Sequence, residues 1–151
     1  MELNPGDNQG ARDYLLACYL SEYDFQGGRQ YLDRARDLMK RYQDDSAVFL
    51  WAAVLERILA GDFPQAARAL KRARSQNRFV EEYLALKKDV GELPELYSPG
   101  TDSEATHCVY VLGMSWIKQV PAYFYLQGAL GEKAGKMPEV LQEKDEEEAP
   151  F

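Results

Sequence analysis

The chain has 151 residues, the size of one domain, and a domain of this length buries roughly 70% of the surface its unfolded chain exposes. Hydrophobic residues make up 46% and charged residues 28%, an ordinary globular mixture that excludes a wholly disordered chain and a disulfide scaffold. The formal charge of −7 argues against nucleic acid as a partner, because phosphate binding depends on clustered Lys and Arg.

That average conceals an asymmetry. Residues 29–88 carry 13 Lys and Arg against 8 Asp and Glu, whereas the remaining residues carry 5 against 17. The middle is basic and both ends are acidic. The longest strongly apolar stretch, Val48 to Leu55, is eight residues, while a bilayer span needs about 20. The acidic start lacks the basic flank and apolar run of a secretion signal. Cys18 and Cys108 both fall in apolar helical patterns, where free cysteine behaves as a small hydrophobe. A cytoplasmic protein without a membrane partner is expected.

The first helix is expected after Asn4-Pro5-Gly6, capped by Asp7 or Asn8, running through Leu15, Leu16, Cys18 and Leu20 and stopping before Gly27-Gly28. A second runs from Arg29 to Tyr42, because Tyr31, Leu32, Ala35, Leu38, Met39 and Tyr42 fall on one helical face. Ser46 and its acidic neighbours cap a third, Ala47 to Ala60, that is apolar almost all round and must be covered on several sides. Gly61-Asp62 turns the chain, and Pro64 stands in the first turn of a fourth helix carrying Ala66, Ala67, Leu70 and Ala73.

Phe79, Val80, Tyr83, Leu84 and Leu86 suggest a short fifth helix, followed by a proline-rich loop from Gly91 to Thr101. Asp102 or Ser103 caps a sixth, in which Ala105, Cys108, Val109, Leu112 and Trp116 recur at helical spacing until Pro121 breaks or kinks it. A seventh is expected over residues 122–130. Apolar residues then thin out, and Glu143 to Glu148 is an acidic run that cannot offset its ordering entropy, so residues 1–131 are read as a helical-repeat domain and 132–151 as an acidic, disordered tail.

Self-comparison at an offset of 38 aligns Asp24-Phe25 with Asp62-Phe63, Leu32 with Leu70, and Arg34-Ala35-Arg36 with Arg72-Ala73-Arg74. Two helix pairs are therefore read as related copies that hide their apolar faces by stacking. The expected fold class is all-α, an α-solenoid of antiparallel helix-pair repeats with the C-terminal helices packed on the stack.

The segment Gly61-Asp62-Phe63 through Ala66, Leu70, Ala73 and Asn77 resembles the second half of a tetratricopeptide repeat, and Leu3-Asn4-Pro5 resembles the close of an earlier one. Asn77-Arg78-Phe79-Val80, Tyr83-Leu84, Lys87, Pro94, Asp102-Ser103-Glu104-Ala105, Trp116 and Gly128-Ala129-Leu130 are similar in order to the C-terminal region of suppressor-of-tumorigenicity-seven-like proteins and their soluble relatives. These resemblances imply a helical-repeat interaction protein, a scaffold or adaptor, and a start at a repeat junction suggests the last part of a longer array. The tetratricopeptide resemblance further implies that first helices line a concave groove, setting Asp13, Ala17 and Leu20 beside Trp51, Leu55 and Ile58 as partner-binding residues. It leaves open that the sixth or seventh helix fills that groove. A second reading is an accessory domain of a larger assembly, contacting partners, or a copy of itself, through its stack end or outer face.

Catalytic chemistry has little to build on. The single histidine, His107, has Glu104 one turn away and Cys108 beside it, short of the three or four converging ligands of a zinc site and of the oriented base of a nucleophilic triad. The glycines form no phosphate loop, and Glu81-Glu82 reads as solvated charge. No cofactor, metal or catalytic residue is expected. Arg34, Arg36, Lys40 and Arg41 and, one repeat later, Arg68, Lys71, Arg72, Arg74 and Arg78 form a basic stripe that is either a solvated face or an attractor for an acidic peptide or the acidic tail.

Overall fold

The computed structural model describes residues 5–24 and 27–133, and among them every regular element is an α-helix. In chain order these are α1 (Pro5–Glu22), α2 (Arg29–Tyr42), α3 (Ala47–Leu59), α4 (Phe63–Gln76), α5 (Val80–Leu84), α6 (Asp102–Ile117) and α7 (Val120–Lys133). The α7 helix passes two residues beyond the expected domain boundary at 131, and the acidic tail from residue 134 lies outside the described residues.

Local chemistry sets most of these bounds. The Ser46 hydroxyl accepts the Phe49 N–H at 3.4 Å and opens α3, and the Asp62 carboxylate accepts the Gln65 N–H at 3.3 Å and opens α4 with Pro64 in its first turn. Three expectations need correction. The α1 helix begins at Pro5, so Asp7 and Asn8 stand inside its first turn rather than capping it. The cap of α6 is Thr101, whose hydroxyl accepts the Glu104 N–H, and not Asp102 or Ser103. Pro121 neither ends nor kinks α6; it stands in the first turn of α7, where its missing N–H costs nothing.

Two helices close with the same hydrogen-bonded turn. At the end of α3, Gly61 sits at φ +77°, its N–H donates to Ile58 and the Asp62 N–H donates to Arg57. At the end of α5, Leu86 at φ +60° donates to Tyr83 and the Lys87 N–H donates to Glu82. Glycine is the usual occupant of this left-handed position, where a side chain costs roughly 1–2 kcal/mol.

The α3 helix is the centre of the molecule, packed against α1, α2, α4, α6 and α7, which accounts for apolar residues all around it. The α6 helix lies across α1 and α3 and also packs on α5 and α7. Polar side chains fix that crossing. The Ser115 hydroxyl donates to the Ala17 carbonyl at 2.8 Å, and the Gln119 amide donates to the carbonyls of Leu20 and Tyr23.

Two arginines that the offset of 38 aligns, Arg36 and Arg74, each neutralise a buried carboxylate. Arg36 Nη2 donates to Glu56 at 2.7 Å, and Arg74 donates to Glu81 through Nε and Nη2, both at 2.6 Å. Glu56 and Glu81 are 1% and 0% exposed, so Glu81 is a buried, paired carboxylate and not the solvated charge expected of it. A buried carboxylate persists only with such pairing.

Candidate interaction surface

All six residues assigned to the concave groove, Asp13, Ala17, Leu20, Trp51, Leu55 and Ile58, are buried, none more than 6% exposed. The structure does bring the two sets together, since α1 and α3 pack side by side. The α6 helix then lies across both, with Ser115 bonded to the Ala17 carbonyl and Gln119 to the Leu20 carbonyl. A fully buried leucine or tryptophan gains about 1.5–3 kcal/mol from leaving water, and α6 supplies part of that cover. These residues form core, and no open groove remains at their position.

The His107, Glu104 and Cys108 cluster does not converge on a point. The Glu104 carboxylate turns inward and accepts from the Gly100 N–H at 2.8 Å, the Asn77 amide at 3.1 Å, the Gln76 amide at 3.0 Å and the Ala47 N–H at 3.2 Å, tying the ends of three helices together. The His107 ring stacks on Tyr97, with centroids 4.4 Å apart and planes 15° from parallel. Burial lowers its pKa below the ordinary value, against a smaller raising effect of Glu104. Cys108 is buried, and that burial pushes its thiol well above the usual range, away from nucleophilic use. Among the described residues no group of three or more His, Cys, Asp and Glu side chains is placed to hold a metal ion.

An apolar face does lie open on the other side of α6. Tyr110, Met114 and Ile117 are exposed there, and the stripe continues into α7 as Val120 and Phe124. Between them is a hollow of about 290 Å³, with Leu84 and Trp116 among its lining residues and Leu86, Ile117, Val120 and Phe124 at its edges. Those four edge residues are 61%, 53%, 60% and 63% exposed. The left-handed backbone at Leu86 therefore holds an aliphatic side chain out into water at an energetic cost, beside other exposed apolar side chains.

Periodicity alone passed over this face because α6 carries two apolar stripes, and the expected one, Ala105, Cys108, Val109, Leu112 and Trp116, is buried except for the half-buried Val109. The signal that marks the second is charge. From Ala105 to Gly131 the sequence contains one residue among Asp, Glu, Lys and Arg, namely Lys118. A helix pair with one face in the core ordinarily carries charge on the other.

A second concavity, a cleft of about 450 Å³, separates α2 from α4. Phe49, Leu50 and Ala53 of α3 form its apolar side, and Arg36, Lys40, Arg57 and Arg72 stand around it. The Asp44 and Asp45 carboxylates at its edge are held by Arg12 and Arg72.

No family model, curated protein or solved structure matches this chain. No helix of the described residues is long and apolar enough to cross a membrane.

Proposed function

We propose that the chain is a non-enzymatic protein-interaction domain, a cytoplasmic stack of tetratricopeptide-like helix pairs that docks an amphipathic helix of a partner protein on the exposed α6–α7 face. The observation that carries this reading is the uncharged stripe Tyr110, Met114, Ile117, Val120 and Phe124, left in water by a chain that is 28% charged. Tyr110, Met114 and Ile117 stand at i, i+4 and i+7, the spacing of a seam that accepts the apolar ridge of a second helix. The hollow beside Trp116 is of a size to take one large anchor side chain from that helix. The expected concave groove is replaced in this role by an outer face.

The test is a photo-crosslinker, benzoylphenylalanine, placed at Phe124 in the full-length chain, with Tyr42 on α2 as the control position. After irradiation in the native extract, the attachment site is sequenced by mass spectrometry. The reading expects attachment at Phe124, and not at Tyr42, to apolar positions spaced three and four apart in a different protein. Attachment to lipid, to a second copy of the chain, or to nothing above the control overturns it.

A further inference from the structure

We propose that the cleft between α2 and α4 is a docking site for an acidic, amphipathic segment, and that residues 139–148 of this same chain are its occupant. Cations stand on both sides of the cleft. On α2, Arg36 and Lys40 stand at i and i+4 and line the cleft; from α4, Arg72 lines it, and Arg68 stands one turn earlier on the same exposed helix face. The α4 helix contains four basic residues and no acidic one. Carboxylates at the cleft are already neutralised: Glu56 by Arg36 and Arg57, Asp45 by Arg72, Asp44 by Arg12. The same pairs engage Arg36, Arg57 and Arg72, whereas Lys40 in the cleft, and Arg68 and Lys71 on the exposed face of α4 beside it, make no ion pair among the described residues.

Phe49 and Leu50 are buried at the floor of the cleft, and the partly exposed Met39 and Ala53 leave a small apolar strip there, which suits an occupant with apolar side chains as well as carboxylates. Residues 139–148 have both, with Val140 and Leu141 followed by Glu143, Asp145, Glu146, Glu147 and Glu148. The point of departure suits the path. Arg74 Nη2 donates to the Ala129 carbonyl at 3.2 Å, which sets the last turns of α7 beside α4. From Lys133 to Glu139 is six residues, up to roughly 20 Å of extended chain. A helix with its side chains is about 10–12 Å across, so this length suffices to pass over α4 to the Arg72 side. A tether this short presents the acidic segment to the cleft at a local concentration on the order of millimolar.

Carbodiimide crosslinking of the full-length chain tests this, because it joins a lysine amine only to a carboxylate in contact with it. At 0.05 M salt, on the order of conditions where screening is weak, Lys40 and Lys71 are expected to couple to carboxylates of residues 139–148. The expected yield is at least about fivefold above that of Lys87, Lys88 or Lys118, and mixing labelled with unlabelled chains should show joints within one molecule. Reversing the exposed α4 face beside the cleft with Arg68→Glu and Arg72→Glu should cut the yield at least about fivefold. Should that variant fail to fold by circular dichroism, raising salt to about 1 M on the unaltered chain reads the same contact and should produce a similar loss. Coupling spread evenly over all lysines, coupling between chains, coupling at Lys118 beside the apolar face, or yields indifferent to rim charge and salt would each overturn the proposal.

Discussion

Arg74 holds Glu81 with a planar two-pronged grip, Nε to Oε1 and Nη2 to Oε2, on a carboxylate with no solvent exposure. The same Nη2 also donates to the Ala129 carbonyl, so one guanidinium joins α4, α5 and α7. Removing one partner of a buried pair strands the other charge and typically costs 3–5 kcal/mol. Because the Arg74 side chain is 26% exposed, Arg74→Ala is expected near the lower end, about 3 kcal/mol by urea unfolding. Arg74→Lys should recover under half of that, since an ammonium cannot reproduce the fork.

Glu104 performs a related task without a cation. Its two oxygens accept from Ala47, Gln76, Asn77 and Gly100, which belong to the start of α3, the end of α4 and the loop before α6. Glu104→Gln turns one acceptor into a donor facing donors, and a stranded buried group costs about 1–3 kcal/mol. A drop of about 2 kcal/mol or more in unfolding free energy is expected, with helix content at low temperature unchanged by circular dichroism.

Leu86 separates stability from function. Glycine at this left-handed position removes the side-chain strain, offset in part by glycine's greater unfolded-state freedom, so Leu86→Gly is expected to stabilise the chain by about 0.5–1 kcal/mol. The same change removes an edge of the α6–α7 hollow and should lower the crosslink yield from position 124. A lower melting temperature for this variant would refute the assignment of strain.

His107 sets an acid limit. Its folded pKa lies below the ordinary value near 6.5, chiefly through burial, so protonation favours the unfolded chain. Well above pH 6.5 both states hold a neutral ring and stability is unaffected by it. As pH falls from 6.5 toward the lowered folded value, stability is progressively lost. His107→Gln should flatten that part of the profile in urea melts taken between about pH 7 and pH 5.

Much of the helix order was legible because it is written in short-range chemistry. Ser46, Asp62 and Pro64 mark helix starts, Gly61 marks an end, and the single-face spacing from Tyr31 to Tyr42 gives α2 its observed bounds. The all-round apolar surface of α3 announced a central helix, and α3 touches five others. The candidate surface was far less legible, because burial of Trp51 or Leu55 depends on where α6 lands, a question of tertiary packing between residues some fifty positions apart. Ser115 inside α6 and Gln119 just past its end, which tie this stretch to α1, are polar residues in an apolar run and carry no local signal of their partners. The left-handed Leu86 was equally hidden, since leucine gives no hint of a position that glycine normally occupies.

The central claim is that the α6–α7 face works in contact with a partner helix while the residues beneath α6 work as core. It is tested most directly by the crosslink yield from benzoylphenylalanine at Met114 in the full-length chain, with and without Ile117→Glu and Val120→Glu. Both changes fall on exposed side chains, so the melting temperature should stay within about 4 °C of the parent while the yield falls at least about tenfold. An undiminished yield from a folded variant, or a collapse of its melting temperature, would contradict the account.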